Sequence, residues 1–217
     1  MAHTGEKRKR SDEKNNGNGS TNAEGTLQHP LSGFELKAVL RESARDKTIF
    51  LHGKWVYNIL EKKAEAERIV YENPDPANGF VLIPDFKWNQ KQVEDLYLIA
   101  ICHQRGIRSL RDLNADHLPL LMNILEEGKE AILKRYGITG NKLRIYLHYQ
   151  PSYYHLHVHF TVLGHDAPGS SVERAHLLCD VIQNIESNPQ YYQTRTLTFA
   201  LREDEALLKK FKELRDF

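Results

Sequence analysis

An α+β domain built on antiparallel strands is what this sequence predicts, and three observations carry the prediction. Leu143, Ile145 and Leu147 alternate with Arg144, Tyr146 and His148, the period of a strand. Leu156, Val158 and Phe160 alternate with His155, His157 and His159, a second strand set antiparallel to the first across the break at Gln150-Pro151-Ser152. Apolar stripes at helical spacing lie on both sides of this pair in the chain.

Taken in order, residues 1–30 are rich in Lys, Asn, Gly, Ser and Glu, with almost nothing apolar before Leu27. Such a segment cannot bury enough surface to offset chain entropy and is expected to be a disordered tail. Residues 31–54 carry Phe34, Leu36, Val39, Leu40, Ile49, Phe50 and Leu51, apolar material too short to fold alone. Residues 55–217 are read as the folded domain. Trp55 to Leu60 opens it with another apolar stretch, and Phe80 to Ile83 is an unbroken apolar run, a buried strand stopped by Pro84. Val93, Leu96, Tyr97, Ala100 and Ile101 fall at helical spacing, with Gly106 as the stop. A longer helix starts near Asp116, with Leu118, Leu121, Met122, Leu125, Ile132 and Tyr136 on its core face and Gly137 at its end. The strand carrying the histidines is read as Tyr153 to Leu163. Val172 to Ile185 is expected to be helical, Thr196 to Leu201 a strand, and Asp204 to Leu214 a last helix. No internal repeat is present.

Composition bounds the function. The 217 residues hold 30 Lys+Arg against 29 Asp+Glu, a formal net charge of +1. A general nucleic-acid coat would need a basic excess, whereas a few local cations suffice for a small anionic ligand. Cys102 and Cys179 are far apart and form no metal-binding or disulfide pattern, which fits reduced thiols inside a cell. The first residues are polar and read as no secretory signal, and runs such as Leu96 to Cys102 are too short to cross a bilayer. Lys7-Arg8-Lys9-Arg10 reads either as a nuclear-import signal or as a solvated charge cluster.

The chemistry concentrates in His155, His157 and His159. A strand's side chains alternate, so the three rings share one face while Leu156, Val158 and Phe160 anchor the other. Three readings remain open on these residues alone. They are incidental on a surface strand, or they ligate zinc with His148 or His176 completing the set. Or one neutral imidazole attacks phosphorus while its neighbours set its tautomer and donate to phosphate oxygens.

His155-Leu156-His157-Val158-His159-Phe160 resembles the histidine-triad motif, with Thr161 where that motif prefers an apolar residue. The flanking strings resemble the scavenger mRNA-decapping branch of that superfamily in particular. They are His148-Tyr149 before Pro151-Ser152-Tyr153-Tyr154, Ile83 to Trp88, Arg108 to Leu113, Gly169 to His176, and Arg195 to Ala200. The resemblance covers residues 55–203. It implies a histidine-triad-like antiparallel sheet with flanking helices and a pyrophosphatase that cleaves the triphosphate bridge of 7-methylguanosine caps without metal or cofactor. By the same resemblance His157 is the nucleophile, with His148, His155 and His159 holding phosphate oxygens. Trp55 would stack on the cationic base and Glu65 read its edge. Asp85 and Lys87 would lie near the cap sugar and phosphates, with Ser152, Tyr153 and Arg174 on the phosphate side. Read without the resemblance, Trp55 is a core residue, Glu65 and Lys87 a solvated face, and Arg174 a helix-start charge.

The chain also departs from the pattern. Ser32-Gly33-Phe34 through Lys54 resembles the start of the family's N-terminal domain, yet Lys54 joins Trp55 directly. In the family about a domain's length separates those positions and forms a swapped lid over the cap. The resemblance therefore implies an internally shortened form, with residues 31–54 the remnant of the lid domain. The expected partners are a cap dinucleotide or short capped RNA, a second copy in a homodimer or a full-length subunit, and no membrane. The expected location is cytoplasmic and nuclear. Alternatives are an impaired form that binds caps or full-length subunits as a regulator, and a general dinucleoside polyphosphate hydrolase.

Overall fold

Residues 52–215 are described by the computed structural model of the chain. The expected tail, the basic run Lys7–Arg10 and the expected lid remnant up to residue 51 lie outside the described residues. Helix α1 (His52–Leu60) is followed by β1 (Tyr71–Asn73), β2 (Phe80–Pro84), β3 (Tyr97–Cys102) and the long helix α2 (Leu118–Tyr136). Strands β4 (Leu143–His148), β5 (His157–Val162) and β6 (Ala175–Leu177) come next, then helices α3 (Leu178–Ser187), α4 (Tyr191–Thr194) and α5 (Ala206–Arg215). The expected α+β class is what forms: one six-stranded sheet in the order β1-β2-β3-β5-β4-β6, with every pair antiparallel. No described helix is long and apolar enough to cross a membrane.

The histidine strand β5 sits inside the sheet, between β3 and β4. Its register pairs Ile99 with His159 and Ile101 with His157 on one side, and Tyr146 with His159 on the other. Tyr97, Ile99, Ile101, Tyr146 and His148 therefore share the face of His157 and His159. Val158 and Phe160 face the other way, toward α2. Gly128 of α2 is close enough to Phe160 that an added Cβ would stand 2.5 Å from the ring tip. Helix α2 ends as expected at Gly137, whose φ of 71° is the left-handed cap and whose N–H donates to the Leu133 carbonyl at 2.9 Å. Leu120, Leu121, Ile124, Ala131 and Ile132 are its buried side chains, while Met122, expected in the core, is exposed.

Four expectations of local structure fail, the first two for a tertiary reason. The segment expected to be helical from Val93 to Ile101 is a short 3-10 turn, Val93–Asp95, followed by β3. All six residues of β3 are buried because both faces of the sheet are covered, and a continuous apolar run loses the alternation that marks a strand. The segment Val172 to Ile185 splits: Ala175–Leu177 pairs with β4 and extends the sheet, so helix α3 starts only at Leu178. Residues 196–201 form no strand, and Phe199 packs edge-on against Tyr149 at 5.4 Å. Strand β5 begins at His157 rather than Tyr153, which leaves His155 in the preceding loop. The expected last helix is present as α5, with Leu208 and Phe211 buried.

Candidate active site

His157 is the centre of the cluster. Its Nδ1 lies 2.8 Å from the carbonyl oxygen of His155. A carbonyl only accepts, so Nδ1 carries the proton and the lone pair of the neutral ring sits on Nε2. Tyr153 stacks on the same ring at 3.9 Å with an interplanar angle of 13°, and His159 meets it edge-on at 4.9 Å. The β5 backbone fixes the position and two aromatic neighbours fix the ring plane.

The other histidines are held as firmly. His155 Nε2 is 2.8 Å from the Cys102 carbonyl, so that nitrogen carries the proton, and Tyr57 of α1 closes on the ring edge-on at 5.7 Å. The thiol of Cys102 is buried, which pushes it up to about 12 and keeps it protonated. His159 Nδ1 is 3.0 Å from the Tyr97 hydroxyl, with Tyr146 stacked on the ring at 5.2 Å. His148 comes from β4 and lies 4.2 Å from His159, ring centre to ring centre. Gly169, at φ +83°, brings its backbone over the His148 ring, where a Cβ would stand 2.7 Å from Nε2. Burial pushes His148 down to about 3, helped by the positive fields of His157, Arg174 and Lys87. Burial does the same to His159, pushing it well below its ordinary value, with His148, His157 and Lys87 adding to the effect. His155 is lowered chiefly by burial, against the pull of the Cys102 carbonyl. These three are neutral rings at neutral pH.

The remaining expected residues fall into three groups. Trp55 and Glu65 come together: the indole Nε1 donates to Glu65 Oε1 at 2.7 Å, and Arg68 pairs with the other carboxylate oxygen. Glu65 occupies left-handed backbone, φ 57°, a conformation uncommon for a non-glycine residue. Trp55 touches Tyr153 edge-on at 6.2 Å, so the tryptophan-carboxylate pair connects to the histidines through Tyr153.

Asp85 follows β2 and is buried, with its Oδ1 accepting the Lys87 amide at 2.8 Å. Burial raises its carboxyl above the usual range, against the pull of the Lys87 amide and of the Lys87 and Arg68 charges. The Lys87 ammonium lies 5.4 Å from the centre of the Tyr97 ring.

Arg174 immediately precedes β6. It donates to the Gln150 carbonyl at 3.2 Å and faces Glu205 at 3.7 Å, which ties it to the loop carrying Ser152 and Tyr153. Ser152 is exposed on that loop.

A shallow cleft runs past His148, His155 and His157, bordered by Arg108, Ser109 and Pro151. Among the described residues no group of three or more His, Cys, Asp or Glu side chains is arranged to share a metal ion.

Tyr97 and Tyr146 touch the histidines and were not singled out in the sequence. Tyr146 was legible, since it shares a face with His148 on a predicted strand. Tyr97 was hidden by the helical reading of its segment. Read at a period of two, it shares a face with Ile99 and Ile101 and hence with the histidines across the register.

Alternating histidines on the inner strand of an antiparallel α+β domain have the arrangement of a histidine-triad protein. The family model described as scavenger mRNA decapping enzyme C-term binding matches residues 54–175, and the chain belongs to that family. It is 74% identical over 156 residues to the m7GpppX diphosphatase of Rattus norvegicus and 72% identical over 160 residues to that of Homo sapiens. These alignments cover 72% and 74% of this chain, and 46% and 48% of the relatives. The m7GpppX diphosphatase of Caenorhabditis elegans is 49% identical over 163 residues, 75% of this chain and 52% of that protein. The chain thus spans about half the length of the curated relatives it matches. A solved structure of Hnt3 in complex with DNA and guanosine superposes with a TM-score of 0.38 at 13% identity, over 74% of this chain and 92% of that one. That likeness is too distant to argue from.

Proposed function

We propose that this chain hydrolyses the 5'-5' triphosphate bridge of 7-methylguanosine cap dinucleotides and short capped oligonucleotides, the remnants of 3'-to-5' mRNA decay. The observation that carries the proposal is the 2.8 Å contact between His157 Nδ1 and the His155 carbonyl, which leaves a lone pair at Nε2 on a rigid inner strand.

In the first step the His157 Nε2 lone pair forms a bond to the phosphorus next to methylguanosine. The bond from that phosphorus to the bridging oxygen breaks, and the nucleoside diphosphate or the diphosphate end of the short RNA leaves. In the second step water attacks the same phosphorus and gives up a proton to bulk solvent, the phosphorus–nitrogen bond breaks, the pair returns to Nε2, and 7-methyl-GMP is released. Dividing one displacement into two is the gain of covalent catalysis. His148, His155, His159, Tyr153, Ser152 and Arg174 border or brace the site for the transferring phosphoryl group, whose charge is the main thing to stabilise. No resident metal or cofactor enters this scheme.

Methylation at N7 makes the guanine cationic, so the Trp55 face can attract it. Glu65 accepts from the base edge. Its two oxygens already accept from Trp55 and Arg68, but a carboxylate has about four acceptor sites and keeps some for the guanine donors. The indole contact therefore presents the carboxylate without using it up. Asp85 and Lys87 take the sugar and phosphate side.

A second reading rests on length. The chain spans about half of its relatives, and the direct junction of Lys54 to Trp55 omits the lid that the resemblance implies. On that reading the chain pairs with a full-length subunit, or with itself, and regulates cap turnover.

One assay tests both. Purified chain is incubated with a methylated cap dinucleotide, with and without EDTA, and release of 7-methyl-GMP is followed. Turnover that persists in EDTA, and falls by orders of magnitude in His157→Asn while cap binding survives, is the expected result. No release by the wild-type chain would favour the regulator, and near-normal turnover in His157→Asn would remove the covalent scheme.

A further inference from the structure

The proposed chemistry leaves the state of His159 open. A neutral imidazole carries one proton, on Nδ1 or on Nε2, and the two tautomers present opposite hydrogen-bonding groups to whatever enters the site. The carbonyls of Cys102 and His155 settle the matter for His155 and His157, because a carbonyl can only accept. His159 meets a hydroxyl instead. Tyr97 Oη lies 3.0 Å from His159 Nδ1, and a hydroxyl can donate or accept.

We infer that Tyr97 is a positioning residue whose hydroxyl donates to His159 Nδ1, holding His159 as the Nε2–H tautomer, a neutral donor beside His157. Two observations establish the contact and a third sets its direction. The contact is rigid: Tyr97 is fully buried and His159 nearly so, and Tyr146 stacks on the imidazole at an interplanar angle of 21°, so the ring cannot turn away. The hydroxyl keeps its proton, because burial raises the Tyr97 phenol far above its ordinary range, and it has two hydrogen-bonding neighbours to share it with, His159 and the Tyr146 hydroxyl. Lastly, His159 Nε2 is buried and has no hydrogen-bond partner among the described residues. Such an orphan is costly unless a ligand completes it. A phosphoryl group brings only acceptors, so the tautomer that suits the guest is the one with its proton on Nε2. The direction therefore rests on the cap-hydrolysis reading, and the contact itself does not.

Histidine tautomers are read directly in a long-range nitrogen–proton correlation spectrum of the full chain labelled with nitrogen-15 histidine. His159 is assigned by comparison with His159→Asn. At neutral pH the expected spectrum shows His159 Nε2 bearing the proton and Nδ1 as a lone-pair nitrogen. A proton on Nδ1 would overturn the inference, since Tyr97 would then be accepting. Tyr97→Phe removes the hydroxyl and keeps the ring. The expected result is a mixture of His159 tautomers, with kcat on a methylated cap dinucleotide lowered about tenfold to hundredfold and KM changed much less. An unchanged His159 spectrum in that variant would also overturn the inference. If Tyr97→Phe does not fold, the wild-type spectrum decides alone. If the wild-type chain releases no 7-methyl-GMP, the cap reading fails and the spectrum still decides the tautomer.

Discussion

At the scale of single residues, burial without charge is the theme, and it makes stability depend on pH. An unfolded histidine takes a proton near 6.5, whereas folded His148 resists until about 3, and His155 and His159 are lowered as well. His103, His117 and His176 are lowered by burial in the same direction. Between the two values the unfolded chain binds more protons, so stability is fully present above about 6.5 and is lost as pH falls. Each ring contributes at most about 1.4 kcal/mol per pH unit. Asp85 acts in the opposite sense: its carboxyl is raised, so its contribution weakens as pH rises above 3.8. It is one group against several. The unfolding midpoint should therefore drop as pH is lowered from about 7 to about 5, and less steeply in His148→Asn. A flat midpoint over that span would mean the rings are wetter than described. Trp55 carries the second residue-scale prediction. If it stacks on the cationic base, Trp55→Ala should weaken methylated caps more than unmethylated ones. Cation–π attraction is worth about 0.5–2 kcal/mol, a few-fold to tens-fold in affinity. Equal losses for both ligands would mean that the indole serves only to brace Glu65.

At the scale of elements, the site depends on how β5 is seated. His157 and His159 share one face of the sheet while Val158 and Phe160 are buried on the other, and Phe160 sits against Gly128, where there is no side chain. Gly128→Val would drive a Cβ to 2.5 Å from the Phe160 ring tip. Overpacking of this kind costs about 1–3 kcal/mol, or about 2–4 °C in midpoint for each kcal/mol in a chain of this size. Both the midpoint and cap turnover should fall, because the displaced ring is one residue from His159. A midpoint equal to the wild type would show that α2 can withdraw from the sheet at no cost, and that the seating of β5 does not rely on this contact.

At the scale of the whole molecule, the question is what half a relative's length can do. In enzymes that use a lid, closure excludes water and completes the site. If the Lys54–Trp55 junction omits that lid, the cap should bind and leave faster and its phosphates should stay wetter. The expected outcome is measurable cleavage with weaker cap affinity than a full-length relative assayed alongside. Matched kinetics and matched thermal stability for the two proteins would show the missing length to be dispensable.

The sequence by itself determined what local pattern can determine. Strict alternation marked β4 and the histidine face of β5, Gly137 marked the end of α2, and the strings around Trp55, Asp85 and His157 marked the family. Those signals survive because they are set by side-chain period, backbone sterics and residue identity, which are properties of neighbouring positions. Tertiary structure decided the rest. It made Val93 to Ile101 a turn and an inner strand, because a segment buried on both faces carries no alternation to read. It took Ala175–Leu177 out of an expected helix to pair with β4. It turned Tyr97 toward His159, a contact 62 positions apart in the chain, by setting β3 beside β5. Register between distant strands is fixed by the packing of the whole sheet, so no window of sequence contains it.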